Sequence, residues 1–526
     1  MTSSRVQHCC LLLIVLGACA SAQTAPPRPA RPGDKPLPCD PISVMRRAQE
    51  FSTPSGVPIM PDRYYSLELA VSGEARTHRP LIAFDQGRLL PAGCGDPPGI
   101  FYVIPKLVTV FDVSLSRGFV AFLVLWVSAC GLFGIAGFFT LFGNTTTSYI
   151  AALVEVFLAW RAFRAGDLYF VAPCVVIALV PWALLLWERC TSARWLSLFA
   201  LFAGMLLGFA NFLRDEAGSG MLLFLVVLAG LNRRLQRRAR LLGIAATLVG
   251  VALPAFFAHH LLDQRDVYLS RLQPDYVPAV RHHLFWHTAY IGFGFLRNDF
   301  VPAYKDEVAA DQVRTVDPSV TYLSSKYDSY LRLAVLKLVR RHPSFVMATV
   351  FAKLGMLVLY LLISANIGLV AALLMRKPWP VELAFCTAMV VSALPGIIAV
   401  PTVPYLLGFC SFGAIFAVVS IGYFVRGTRK EQAALHHLGA TAESAGYGDR
   451  LSSDARVLES SSGRSLNHRI RSANWLVYAC GVFLVVVLSV GLSHSQVRPP
   501  DSSRAIAVAP PSAHAAAEGQ QEKRGN

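Results

Sequence analysis

Residues 195–240 read WLSLFALFAGMLLGFANFLRDEAGSGMLLFLVVLAGLNRRLQRRAR. An apolar run from 195 to 213 closes on Arg214-Asp215-Glu216, a second run from 217 to 231 opens at once, and Arg233, Arg234, Arg237, Arg238 and Arg240 follow. Two apolar runs back to back with an arginine cluster behind them read as a helical pair that crosses a membrane and returns to its inner side. The second run is short for about 30 Å of hydrocarbon. Dropping it, however, would turn over everything downstream and export the basic loops at Arg376 and Lys377 and at Arg426, Arg429 and Lys430, so it is kept as a span.

Working outward, further apolar runs lie near 116–140, 146–163, 168–187, 240–259, 346–375, 380–401, 404–425 and 474–493. The chain of 526 residues is 54% hydrophobic with a mean hydropathy of +0.48, which makes it an all-α polytopic membrane protein rather than a string of soluble domains. Simple alternation puts Arg189 and Arg194, the 233–240 arginines and both later basic loops on the inner face, so the +16 formal charge reads as orientation. Those cations form no amphipathic basic face or nucleic-acid motif, and nucleic acid is excluded as a partner.

The amino terminus, with Arg5, an apolar stretch from Cys9 to Leu16 and Ala18-Cys19-Ala20-Ser21-Ala22, reads either as a cleaved signal peptide or as a first transmembrane helix over 1–22. The domain plan is then an outer loop over 23–115 with interfacial helices and a transmembrane bundle over 116–425 that includes an outer loop at 260–345. A cytoplasmic linker over 426–472, a last helix over 473–494 and a tail over 495–526 complete it; linker and tail are too polar or too rich in Pro, Ala and Ser to build a core. Cys39 and Cys94 share the outer loop and are candidates for a disulfide, whereas Cys130, Cys174, Cys190, Cys386, Cys410 and Cys480 lie in or beside spans. The sequon at Asn144 falls on the inner side and is discounted.

The chemistry-bearing groups gather on the outer side. Asp62 opens DRYYSLELAVSG, where Asp62, Tyr65, Leu69 and Ser72 recur at helical spacing; its carboxylate either caps that helix or serves as a general base toward a hydroxyl. Asp96 stands before Pro97-Pro98-Gly99 at the point where the loop re-enters the membrane, and either orients a substrate or simply precedes a rigid helix start. Arg214, at the end of a glycine-rich span, either clamps a phosphate or pairs locally with Asp215 or Glu216. The loop after 260 combines Arg281, His282, His283, Trp286 and His287, then Tyr290, Arg297, Tyr304 and Lys305: cations and rings that suit an anionic phosphate joined to a sugar. His283 and His287 sit four apart without the Glu of a zinc-protease helix, so no metal site is assigned; a divalent cation is the one cofactor left open. Within spans, Lys353 lies near the outer end in reach of a lipid phosphate, and Glu155 is expected to pair with Arg161 or a neighbouring helix.

DRYYSLELA, GDPPGIFYVIPKLVTVFDVSLSRG, LFAGMLLGFANFLRDEAG and YDSYLRLAVLKLVRRHPSFV, in that order and on one side, resemble the GT-C membrane glycosyltransferases, in particular the protein-mannosyltransferase-like and aminoarabinose-transferase-like branch. The resemblance covers roughly 55–425. It implies a bundle of about 10–11 transmembrane helices in the inner (plasma) membrane. It also implies transfer of a hexosyl or pentosyl unit, with inversion, from a polyprenyl-phosphate donor to a glycan, lipid or protein acceptor on the periplasmic face. Asp62 is then the base, with Asp96 or Asp40 as substitutes. Tyr65, Arg214, Glu216, Arg281, His283, His287 and Lys353 are then the substrate-binding residues, and Arg214, Arg281 and His283 are the candidates to stabilise the departing phosphate. The chain departs from the pattern at Arg63, where members of the family often carry a second carboxylate. No nucleotide-binding motif is present, as a lipid-activated donor requires none. The alternatives are a transporter or flippase working through Glu155 and Lys353, and an inactive scaffold.

Overall fold

The computed structural model describes residues 56–444 apart from 94–95, 191, 275, 277, 279–283, 321 and 375–377. Asp40, the Cys39–Cys94 pair, Arg281, His283, the span near 474–493 and both termini lie outside the described residues. The chain begins with α1 (Pro61–Thr77), a hairpin of β1 (Ile82–Asp85) and β2 (Arg88–Pro91) with Ile82 opposite Pro91, and α2 (Pro98–Phe111). Then come α3 (Leu115–Phe142), α4 (Thr146–Ala165), α5 (Val171–Arg189), α6 (Ala193–Leu213), α7 (Ser219–Gly230) and α8 (Arg237–Leu272). A second group outside the bundle holds α9 (Phe285–Gly292), α10 (Asp306–Val316) and α11 (Ser325–Arg341), followed by α12 (Pro343–Leu374), α13 (Trp379–Ile398) and α14 (Val403–Ser444).

Seven of these helices are long and apolar enough to cross a membrane: α3, α5, α6, α8, and the parts of α12, α13 and α14 that run Pro343–Asn366, Trp379–Ile398 and Val403–Arg426. The fold is therefore all-α and polytopic. Two expected spans form differently. Helix α4 has the expected length but carries Glu155, Arg161 and Arg164, and so falls below that apolar standard. Helix α7 has only 12 residues, about 18 Å at 1.5 Å per residue. It still joins the two ends of the bundle. At one end the Gly218 amide donates to Asn211 Oδ1 at 2.7 Å, and at the other Arg240 donates to the Gly230 carbonyl at 3.0 Å.

Among the described residues, Arg189, Arg234 and Arg426 meet at one common end, the end where alternation puts them; Arg376 and Lys377 lie outside the described residues. Arg426 bonds Glu188 at 3.2 Å and lies over the Phe142 ring, Tyr423 donates to Glu188 at 2.5 Å, and Arg234 donates to the Glu188 carbonyl. The opposite, loop-rich end carries α1, the hairpin and α9–α11. Between the ends the core is tight: Phe224, Phe385 and Phe412 pack as a buried aromatic trio, with Phe224 and Phe385 centroids 4.9 Å apart.

Two helices outrun their expected ends. Helix α8 continues from the expected limit at 259 to Leu272, because HHLLDQRDVYLSRL contains no helix breaker. Helix α14 runs through the expected linker boundary to Ser444, since RKEQAALHHL is made mostly of strong helix formers.

Candidate functional site

Helix α1 starts on Pro61, a residue whose fixed φ suits the first helical position. Its N-cap is Met60 and no side chain caps it, so the Asp62 carboxylate is not consumed as a cap. Asp62 accepts only through its backbone carbonyl, from Ser66 Oγ at 2.9 Å, and its carboxylate has no hydrogen bond or ion pair among the described residues. One position on, Arg63 turns into the protein. Its Nε and Nη2 grip Asp96 at 3.1 and 2.9 Å in a two-pronged pair, and its Nη1 bonds Asp167. The residue that breaks the family pattern thus joins two carboxylates brought from two other loops.

Each carboxylate is placed by a glycine that lets backbones touch. At Gly99 an added Cβ would clash with the Phe212 carbonyl, so the proline-led start of α2 sits directly on the last turn of α6 and brings Asp96 within electrostatic reach of Asp215. At Gly166, with φ +55, a Cβ would clash with Pro58, and the next amide, Asp167, donates to the Pro58 carbonyl at 2.6 Å. Asp167 (φ 49) and Glu216 (φ 67) both hold the left-handed backbone that non-glycine residues seldom adopt.

Arg214 forms no ion pair with Asp215 or Glu216. Its guanidinium instead lies 4.0 Å above the Tyr169 ring and 5.6 Å from that of Tyr405. The Tyr405 hydroxyl shares a 3.0 Å hydrogen bond with Tyr304, which ties α14 to the segment before α10. Burial pushes Tyr304 up to about 12, so its hydroxyl stays protonated and neutral. Asp215 is solvent-accessible, yet the crowding of the bundle, then the charges of Glu216 and Asp96, push its carboxyl up to about 6 against the pull of Arg214. Glu216 is raised by desolvation, with Arg214 opposing. Asp167 is raised by burial although Arg63 pulls the other way. The result is a cluster of four carboxylates, two guanidiniums and three tyrosines at the loop-rich end, able to bind an anion at Arg214 and hydroxyls at the acids.

Other expected site residues fall elsewhere or outside. Tyr65 is half-buried on α1. His287 is fully buried in the α9–α11 core, where its ring nitrogens meet the Tyr327 hydroxyl at 2.9 Å and Asp306 at 3.0 Å. Lys353 is buried and its Nζ donates to the carbonyls of Ile397, Ile398 and Ala399 at 2.9, 3.3 and 2.6 Å, closing the C-terminus of α13. Glu155 does not pair with Arg161: six positions apart, the two lie about 120° apart around the helix. Its carboxylate faces Gly134 with no partner among the described residues, while Arg161 lies over Phe157. No group of three or more His, Cys, Asp or Glu among the described residues is arranged to hold a metal ion. Asp167, Tyr169 and Tyr405 were missed by the sequence reading. The alternation that exposes Arg214 also exposes the 164–168 turn, where Asp167 is the only carboxylate, and that signal was available.

No protein-family profile and no curated protein matches the chain. Among solved structures, the crystal structure of ArnT from Cupriavidus metallidurans in the apo state aligns over 69% of this chain and 72% of that one. The identity is 14% and the TM-score 0.29, a likeness too loose to carry an argument about function.

Proposed function

We propose that the chain is a membrane glycosyltransferase that takes a sugar from a polyprenyl-phosphate donor and passes it to a hydroxyl acceptor at the outer face. The observation that carries this reading is Arg214: a guanidinium seated on two tyrosine rings, with no ion pair among the described residues, beside a paired set of carboxylates. Such a guanidinium keeps its fork of donors free for a phosphate, and the tyrosine faces hold it in place. In the step proposed, the acceptor oxygen attacks the anomeric carbon, the bond from that carbon to the phosphate oxygen breaks, and the phosphate leaves with the electron pair toward Arg214. The acceptor proton passes to Asp62, whose carboxylate has no partner among the described residues. Asp96 and Asp167, fixed by Arg63, keep lone pairs for the hydroxyls of the sugar. The resemblance of the four sequence motifs to the GT-C enzymes supports the same reading.

The test is mass spectrometry of cell-envelope glycans and lipids from cells with and without the protein, followed by transfer assays with the donor so identified. A residue missing from the envelope and restored by the wild type but not by Asp62→Asn or Arg214→Gln, at equal membrane abundance, is the expected result. An unchanged envelope, or full restoration by both variants, overturns the proposal.

A further inference from the structure

A groove of about 650 Å³ runs between the chain at Gly56 and Val57 and the first turns of α3, outside the carboxylate cluster. Its rim is polar, Ser116 and Arg117; below them Val120, Val124 and Leu125 follow on the same helix face at steps of three, four and one. From Arg117 to Leu125 the helix descends about 12 Å, into a span that is apolar enough to lie in hydrocarbon. Arg117 is exposed and has no ion pair or hydrogen bond among the described residues. One free cation at the rim of an apolar channel repeats the polarity of a single lipid: anionic head at the surface, chain inward.

We propose that this groove binds an anionic glycerophospholipid of the bilayer, its phosphate on Arg117 and one acyl chain along Val120, Val124 and Leu125. A bilayer phospholipid fits better than a reacting donor, because a wall separates the groove from the carboxylates. Val57 lines the groove while its neighbour Pro58 accepts the Asp167 amide on the far side, and Ser116 at the rim bonds the buried Tyr64 at 2.8 Å. The lipid therefore touches the back of the segment that supports Asp167 without reaching its carboxylate, and the site stands whether or not the chain transfers sugar.

The full-length protein is purified into nanodiscs of mixed phosphatidylcholine and phosphatidylglycerol, and the lipid that stays with it after detergent extraction is quantified by mass spectrometry. Phosphatidylglycerol is expected to be enriched. Arg117→Gln is expected to lower the enrichment about fivefold, the worth of one cation at an anionic surface, and Arg117→Lys to keep most of it. Val124→Trp, at an exposed position where folding is not at stake, is expected to abolish it by filling the groove. Equal retention of the two lipids, or enrichment that survives Arg117→Gln, overturns the proposal. So does a photo-crosslinker at Leu125 that captures residues 9–22 of the chain itself in place of lipid.

Discussion

At the residue scale, the meaning of Arg63 and Arg214 depends on partners that the local sequence does not name. Arg214 and its acidic neighbours are legible as a charged triplet, and a local ion pair is the natural expectation. The structure seats the guanidinium on Tyr169 and Tyr405 instead, residues from α5's leading turn and from α14 that only the tertiary fold brings together. Arg63 reads as an anomaly in the sequence and proves to be the bridge between Asp96 and Asp167. Replacing Arg63 by Gln leaves the buried Asp167 uncompensated, while the part-exposed Asp96 can turn to water, and is expected to cost about 3 kcal/mol, read as loss of monodisperse protein in detergent. Arg214→Gln is expected to fold normally and to lower kcat for transfer by about 10²- to 10³-fold, with Arg214→Lys recovering part of it. Asp215 supplies a pH signature. Its carboxyl titrates near 6, above the ordinary carboxylate range, so it is neutral below that value and charged above it. A second negative charge beside Arg214 weakens phosphate binding, so KM for the donor is expected to rise as pH climbs through about 6. Asp215→Asn should flatten that step; a step unchanged in Asp215→Asn assigns the titration elsewhere.

At the element scale, hydropathy marks the helices well because each span must satisfy its own backbone bonds in lipid, and α3, α5, α6 and α13 begin and end close to their expected limits. What hydropathy does not mark is where a helix stops once it leaves the hydrocarbon, which is why the far ends of α8 and α14 escaped. It also says little about how loops meet, which rests on close backbone contacts at Gly99 and Gly166 and on the Lys353 cap. Gly166→Ala combines a left-handed φ of +55 with a clash against Pro58. The backbone alone makes this cost about 1–2 kcal/mol, and the added displacement of Asp167 is expected to reduce transfer more than it reduces expression, as paired activity and thermal-shift measurements would show. Lys353 was expected to meet a lipid phosphate, but its three donors are spent on the end of α13. Lys353→Met would strand those carbonyls, about 1–3 kcal/mol for a buried unsatisfied group, and is expected to lower thermal stability whatever the donor.

At the scale of the whole molecule, the two ends differ in kind: one gathers Arg234 and Arg426 on Glu188, with Arg189 and Arg426 both donating to the Leu141 carbonyl, and the other gathers the acids and tyrosines. The charge bias of the loops made this division readable without coordinates. In a cysteine-free background, a thiol reagent that cannot cross membranes is expected to label Glu216→Cys in intact cells and to reach Arg237→Cys only after permeabilisation; the reverse pattern would put the site on the inner face. Helix α8 links the two ends in one piece. Its 36 residues measure about 54 Å, against roughly 30 Å of hydrocarbon. The surplus rises clear of the lipid as a post, and at its top Gln273 holds the Leu89 carbonyl of the hairpin at 2.8 Å. The height of that canopy above the headgroups is thus set by bilayer thickness, so a thicker sterol-rich or long-chain membrane would draw the Arg214 cluster down toward the lipid plane, and a thin one would lift it away.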